Sequence, residues 1–130
     1  MNVLVTGASS PIGEQVVLRL LKDSRVTHIV AVADKGKPIS VPENPRVTNT
    51  SVNFKSQRQL HTLLFGLALE QSVQVVIHTS QAESASREGS SVHAHNVDSL
   101  RALVKFSERH PTIRRLVIRS CGGVYQVQRD

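Results

Sequence analysis

Aromatic residues are nearly missing from this 130-residue chain: no tryptophan, one tyrosine and three phenylalanines, 3% in all. Its core must therefore be aliphatic, which suits β-branched strands buried on both faces of a parallel sheet. Cysteine is as scarce. Cys121 stands alone, which excludes an internal disulfide and favours a reducing compartment. The opening Met-Asn-Val-Leu-Val has no basic n-region, so no signal peptide is expected. No apolar run approaches the length of a membrane span, so no membrane partner and a cytoplasmic setting are expected. Clustered charge is also lacking. The net charge is +6 and the pI about 10.3, yet the cations are dispersed. The densest groups are Lys35-Gly36-Lys37 and Arg114-Arg115 with Arg119. With no zinc-ligand spacing, RNA-binding aromatic motif or basic helix, nucleic acid is not an expected partner. The positive surface serves solubility and attracts an anionic ligand. Hydrophobic residues make up 39%, enough for the core of one domain spanning 1–130.

What is present is concentrated near the start. Thr6-Gly7-Ala8-Ser9-Ser10-Pro11-Ile12-Gly13 follows the apolar run Val3-Leu4-Val5 and opens a segment with Ile12, Val16, Val17, Leu20 and Leu21 at helical spacing. That order is a strand, a glycine turn and a helix. Such a turn aims N-terminal helix amides at an open space, and with the helix dipole they favour a phosphate. Gly7 lets the chain turn off the strand, and Gly13 lets the helix lie close to the sheet. The next strand, His28 to Ala33, ends at Asp34, 21 residues after Gly13. A carboxylate there can accept both hydroxyls of an adenosine ribose. A solvated turn carboxylate is the alternative reading of Asp34.

The rest of the chain alternates. Helix one covers about Ile12 to Lys22, and Lys35 to Pro45, with Pro38, Pro42 and Pro45, is a loop. Arg46 to Val52 reads as a short edge strand. Ser56 can cap a helix that carries Leu60, Leu63, Leu64 and Leu67 on one face and ends near Gln71. Val73 to His78 is an apolar strand, and Gln81 to Ser91 a polar loop. A long helix from about Ser91 to Glu108 carries Val97, Leu100, Leu103 and Val104, Pro111 stops it, and Leu116-Val117-Ile118 is the last strand. This alternation predicts an α/β fold, a doubly wound parallel sheet of about five strands in order 3-2-1-4-5, with the ligand at the crevice between strands one and four. The sheet is expected to be truncated after strand five, leaving that strand an open edge that invites self-association or cover by a partner or fused domain.

Taken jointly, Thr6-Gly7 to Ile12-Gly13, Asp34, Val75-Val76-Ile77-His78, Asn96-Val97 and Ser120-Cys121-Gly122-Gly123-Val124-Tyr125 resemble the extended short-chain dehydrogenase/reductases, the group of NAD-dependent nucleotide-sugar epimerases and dehydratases. The resemblance covers essentially all of the chain and about the first half of such a protein, its Rossmann part. It implies a bound NAD. Gly7, Ser9, Ser10, Pro11, Ile12 and Gly13 would form the pyrophosphate turn. Asp34 would hold the adenosine ribose and favour NAD, while Lys35 and Lys37 could accommodate the 2′-phosphate of NADP. Asn53 stands where the family has an Asp that reads the adenine amino group. Thr79, Ser80 and Gln81 stand where small residues line the cofactor. Asn96 matches a helix asparagine, and Cys121 occupies the position of a catalytic Ser or Thr. A nucleotide-sugar or other small substrate would be held by a part beyond these residues. No metal is implied.

The chain departs from the family pattern at several of these positions. Ser10 replaces a middle glycine, Gln81 is bulky for a cofactor wall, and a Cys121 thiol is a weak donor. The family's Tyr-x-x-x-Lys pair, whose tyrosine is the acid/base, would follow strand five by twenty or more residues. Tyr125 is not that tyrosine, because Arg129 stands four residues later. Three readings stay open: the cofactor half of a reductase or epimerase, a non-catalytic nucleotide-sensing or partner-binding domain of a larger protein, and an interaction domain without nucleotide. Blander readings accompany the sharper ones. His93 and His95 fall about 200° apart on a helix, against joint metal binding. Cys121 reads as a packed thiol or one activated near Arg119, His78 as a strand-end histidine held by backbone, and Ser84 to Ser91 as a substrate loop or a plain solvated one.

Overall fold

The computed structural model describes residues 1–38, 41–79 and 98–120, and residues 123–128 as backbone. Strand β1 (Asn2–Thr6) leads through the glycine turn into α1 (Pro11–Leu21). β2 (His28–Asp34) and β3 (Val47–Val52) follow. α2 (Gln57–Thr62) continues through a π-helical turn (Leu63–Leu67) into a last helical turn, α3 (Ala68–Glu70). Then come β4 (Val75–His78), α4 (Ser99–Arg109), β5 (Arg115–Ser120) and β6 (Gly123–Gln128).

The sheet order is β3-β2-β1-β4-β5-β6, and the first five strands are parallel, as the alternation predicts. The sixth was not expected. β6 pairs antiparallel with β5 from Arg115↔Gln128 to Ser120↔Gly123. The expectation of a sheet ending at an open strand five is therefore corrected. Val124 and Tyr125, read as the end of strand five, lie on this returning strand opposite Arg119 and Ile118. The physical reason is composition: Val124, Tyr125 and Val127 are β-branched or aromatic, and Tyr125 to Gln128 alternates such residues with glutamines, which fits a strand whose backbone satisfies the edge of β5.

Strand alternation divides the core into two layers. Val3, Val5, Ile29, Ala31, Val75 and Ile77 face α1, where they meet Val16, Val17, Leu20 and Leu21. Leu4, Val30, Val32, Val76, Leu116 and Ile118 face the other side and pack on Leu60, Leu63 and Leu64 of the α2 segment and on Ala102 and Leu103 of α4. Ile12 belongs to the helical pattern of α1 but remains 42% exposed. The inward side of α4 includes Ser99 and Ser107, both buried, beside its aliphatic residues.

The π-helical turn has an identifiable cause. Ala68 N–H reaches back five residues to Leu63 O. The fully buried His110, just past α4, donates from Nε2 to Leu64 O at 2.6 Å. Its tautomer follows from the other nitrogen, because Thr112 N–H and Ile113 N–H donate to Nδ1 at 3.1 and 3.3 Å. One imidazole thus satisfies a helix carbonyl and two loop amides.

Candidate dinucleotide site

The glycine turn is built where β1 meets both β2 and β4, the point at which the strand order reverses. Gly7 has φ +73°, a conformation that an L side chain resists. A Cβ on Gly13 would stand 1.8 Å from Gly7 O, so the first turn of α1 rests directly on the turn backbone. Ala8 N–H donates to Val32 O at 3.0 Å and ties the turn to β2.

Ser10 closes this loop upon itself. Its hydroxyl donates to Gly7 O at 2.7 Å and accepts Gly13 N–H at 3.1 Å, and its own N–H also reaches Gly7 O at 3.0 Å. It is the N-cap of α1. Glu14 N–H bonds Ser10 O at 2.9 Å, and Pro11 has no N–H to give. Among the described residues, Ser9 N–H and Ile12 N–H make no hydrogen bond. Two open amides and the positive end of α1 therefore face this turn, with the Gly13 amide already taken by a hydroxyl.

The second half of the site lies across the neighbouring strand ends. Thr6 is opposite Val32, so Asp34 lies two residues further along β2, about 7 Å beyond the end of β1. Asp34 pairs with Val52 of β3, and Asn53 follows directly. Asp34, Lys35, Lys37, Val52, Asn53, Phe54 and Lys55 line one open hollow of about 280 Å³. The turn, Asp34 and Asn53 thus form a row along the C-terminal edge of β1, β2 and β3. Asn53 is also a local fastener: its N–H donates to Gln59 Oε1 at 2.8 Å, and its Oδ1 accepts Lys55 N–H at 3.0 Å. Its amide nitrogen and one oxygen lone pair are not used by these bonds.

A buried polar cluster joins β1 to β4 under the crevice. Thr6 Oγ1 and His78 Nδ1 are 2.8 Å apart, and Thr79 N–H donates to Thr6 Oγ1 at 3.0 Å. Thr79 Oγ1 donates to Thr6 O at 2.6 Å. All three residues are buried. Thr79, named above as a cofactor-lining residue, turns its hydroxyl into β1. His78 is held by the side chain of Thr6 and packs near Phe54, with ring centroids 6.1 Å apart, rather than by backbone alone. The sequence signal for this cluster is a polar residue ending each of two apolar strands on the same face.

Ser80, Gln81, Asn96 and Cys121 lie outside the described residues, as do His93, His95 and the Ser84 to Ser91 stretch. Among the described residues, no three His, Cys, Asp or Glu side chains gather as a metal site, and no helix is long and apolar enough to cross a membrane. A marked titration shift lies away from the turn, past the other end of α1. The Arg25 side chain and then its N–H bond Asp23 and hold that carboxyl at about 2.

No protein-family model matches the chain. A hybrid PKS-NRPS synthetase, gkaA, of Penicillium citrinum is 32% identical over 109 residues, which is 82% of this chain and 3% of that protein. Among solved structures, the UDP-glucose 4-epimerase of Thermotoga maritima, crystallised with UDP-glucose, superposes with a TM-score of 0.75 at 20% identity. It covers 94% of this chain and 38% of its own. The dTDP-glucose 4,6-dehydratase of Bacillus anthracis, in complex with NAD, gives 0.71 at 22% identity, covering 91% of this chain and 36% of its own. The fold is thus a Rossmann-like α/β fold, shared with these two structures. The chain spans little more than a third of the length of those two structures.

Proposed function

We propose that this chain is the dinucleotide-binding part of an NAD(P)-dependent protein of the epimerase/dehydratase or reductase type. The observation that carries the reading is the close approach of α1 to the Gly7 turn at the reversal point of the sheet. A Gly13 Cβ has no room there, and the strand ends beside it present a carboxylate and an amide in one hollow. The pyrophosphate would meet Ser9 N–H, Ile12 N–H and the positive end of α1. The adenosine ribose would bond Asp34, and the adenine edge would meet Asn53. Bound there, the cofactor would supply hydride transfer. These 130 residues hold and orient it without a Tyr-x-x-x-Lys pair, so they are not catalytic alone. The substrate, of nucleotide-sugar type in the two similar enzymes, would be held by a further part of the protein.

A second reading, a nucleotide-binding module fused within a larger assembly, draws support from the synthetase, in which the similar stretch is 3% of the length. Self-association through strand five would require β6, which pairs along that edge, to be displaced. A cytoplasmic setting is consistent with the lone cysteine.

Calorimetric titration with NAD and NADH tests the proposal. Binding should be measurable at or below about millimolar ligand, and Asp34→Ala should weaken it by about tenfold, the worth of a charge-assisted hydrogen bond. No heat and no chemical-shift change at millimolar ligand would exclude the dinucleotide. Unchanged affinity in Asp34→Ala would exclude the ribose assignment.

A further inference from the structure

A groove of about 590 Å³ runs between β3 and the helical segment that follows it. Val52, Leu63 and Leu67 give it an apolar floor, with Thr50, Thr62 and Arg58 along its rim. Gly66 lies in the helical wall. A Cβ built there would meet nothing within 4 Å. Glycine is the poorest helix former after proline, and packing within this chain does not account for it. The π-helical turn that holds it is of a kind that recurs at functional sites. The notch over Gly66 has room for a side chain from elsewhere. The strand side of the groove is an open hydrogen-bonding edge. Ile29 N–H bonds Arg46 O and Lys35 N–H bonds Val52 O, so the even-numbered residues of β3 direct their backbone groups to β2. Val47, Asn49 and Ser51 direct theirs outward. Val47 N–H is taken by Asn44 O at 2.9 Å, whereas the N–H and C=O groups of Asn49 and Ser51 have no partner among the described residues. Two such residues are too few to hold a second sheet, but they can register a short strand whose side chains are also held.

We propose that this groove takes an extended segment of a partner protein by strand addition to Asn49 and Ser51, with an apolar side chain over Gly66 and, four residues away, a carboxylate on Arg58. The proposal does not depend on the dinucleotide reading. The Arg58 guanidinium is exposed and in no ion pair among the described residues. Arg58 and Gly66 are eight residues apart, about 12 Å along a helix. Four residues of an extended strand span about 13 Å, and the even spacing keeps both side chains on one face. Thr50 and Val52 fall on that same face of β3 by alternation, beside the helical segment. The net charge of +6 favours the approach of an acidic segment over a basic one.

The test is an NMR titration of the isotope-labelled 130-residue chain with the capped peptide Thr-Leu-Thr-Val-Thr-Glu-Thr and with its reversed sequence, which together cover both strand directions. One of them should shift the amides of Asn49 and Ser51 with a Kd at or below about 1 mM. Replacing the peptide's Glu by Lys should weaken binding by about threefold or more at low salt. Arg58→Glu should reverse that order, so that the Lys peptide binds more tightly. Gly66→Leu should fill the notch and weaken binding by about tenfold or more, with no fall in the thermal midpoint. No shift at Asn49 and Ser51 with either peptide at about 1 mM would overturn the proposal. Full affinity in Gly66→Leu would overturn the notch as the seat of the apolar side chain. An unreversed charge order in Arg58→Glu would overturn the role given to Arg58.

Discussion

At the scale of single residues, the glycine turn makes opposite predictions at its two ends. Gly13 cannot accept a side chain without moving α1 off the turn, since the new Cβ would stand 1.8 Å from a backbone oxygen that has no rotamer to escape into. Gly13→Ala should therefore cost about 1–3 kcal/mol or more in thermal or urea unfolding, the usual penalty of overpacking, and abolish dinucleotide binding. A stable variant with full affinity would show that α1 does not rest on Gly7 O. Ser10 is different. Its hydroxyl occupies the Gly13 amide, so it stabilises the helix start by withholding a donor from any anion. Ser10→Gly should change stability by only a few tenths of a kcal/mol, because glycine is a tolerable N-cap. It should tighten dinucleotide binding by releasing Gly13 N–H. An affinity that falls on this substitution would mean that the serine hydroxyl itself contacts the ligand. The turn was legible in the sequence because glycine spacing encodes backbone conformation directly. The self-capping by Ser10 was not, since any serine before a helix reads the same whether its hydroxyl faces the chain or a ligand.

At the scale of elements, β1, α1, β2 and β3 appear within a residue or two of where periodicity and proline place them, because each is local and strongly patterned. The α2 segment carries its four leucines inward and starts at Ser56, whose Oγ accepts Gln59 N–H at 3.2 Å. Periodicity could not reveal the π-helical turn at Leu63–Leu67, since the partner that compensates it, His110, lies 46 residues from Leu64 in the chain. His110→Ala would leave Leu64 O and two amides without their partner and open a cavity in a closed part of the core. The expected loss is about 2–4 kcal/mol, with faster amide exchange through the π-helical turn. His61→Ala, at an exposed position stacked on Phe65 with centroids 4.6 Å apart, should cost under about 1 kcal/mol. Similar losses at the two histidines would mean that His110 does not hold the turn. The Thr6–His78 pair escaped the sequence reading for the same reason as His110: its two members are 72 residues apart, and neither strand alone announces a polar partner.

At the scale of the molecule, the sheet is a parallel array of five strands with one antiparallel strand laid on its far side. An uncovered strand five would favour self-association, and β6 removes that premise by pairing with β5 along its length from Arg115 to Ser120. The outer strand at the other end, β3, is polar and short, with Thr48, Asn49, Thr50 and Ser51 in its six residues, which is a poor template for edge-to-edge addition. The net charge of +6 further opposes close approach of two copies. Deleting residues 121–130 would bare the hydrogen-bonding edge of β5 and leave the net charge at +6, because Arg129 and Asp130 cancel. The shortened chain should then associate, and more strongly as salt screens the repulsion, while the 130-residue chain keeps a lower sedimentation coefficient at the same concentration. Sedimentation velocity of both chains at about 0.05 and 0.5 M salt separates the causes. Association of the shortened chain that rises with salt would assign β6 the role of an edge guard. Equal behaviour of the two chains would mean that β6 does not protect β5 in solution.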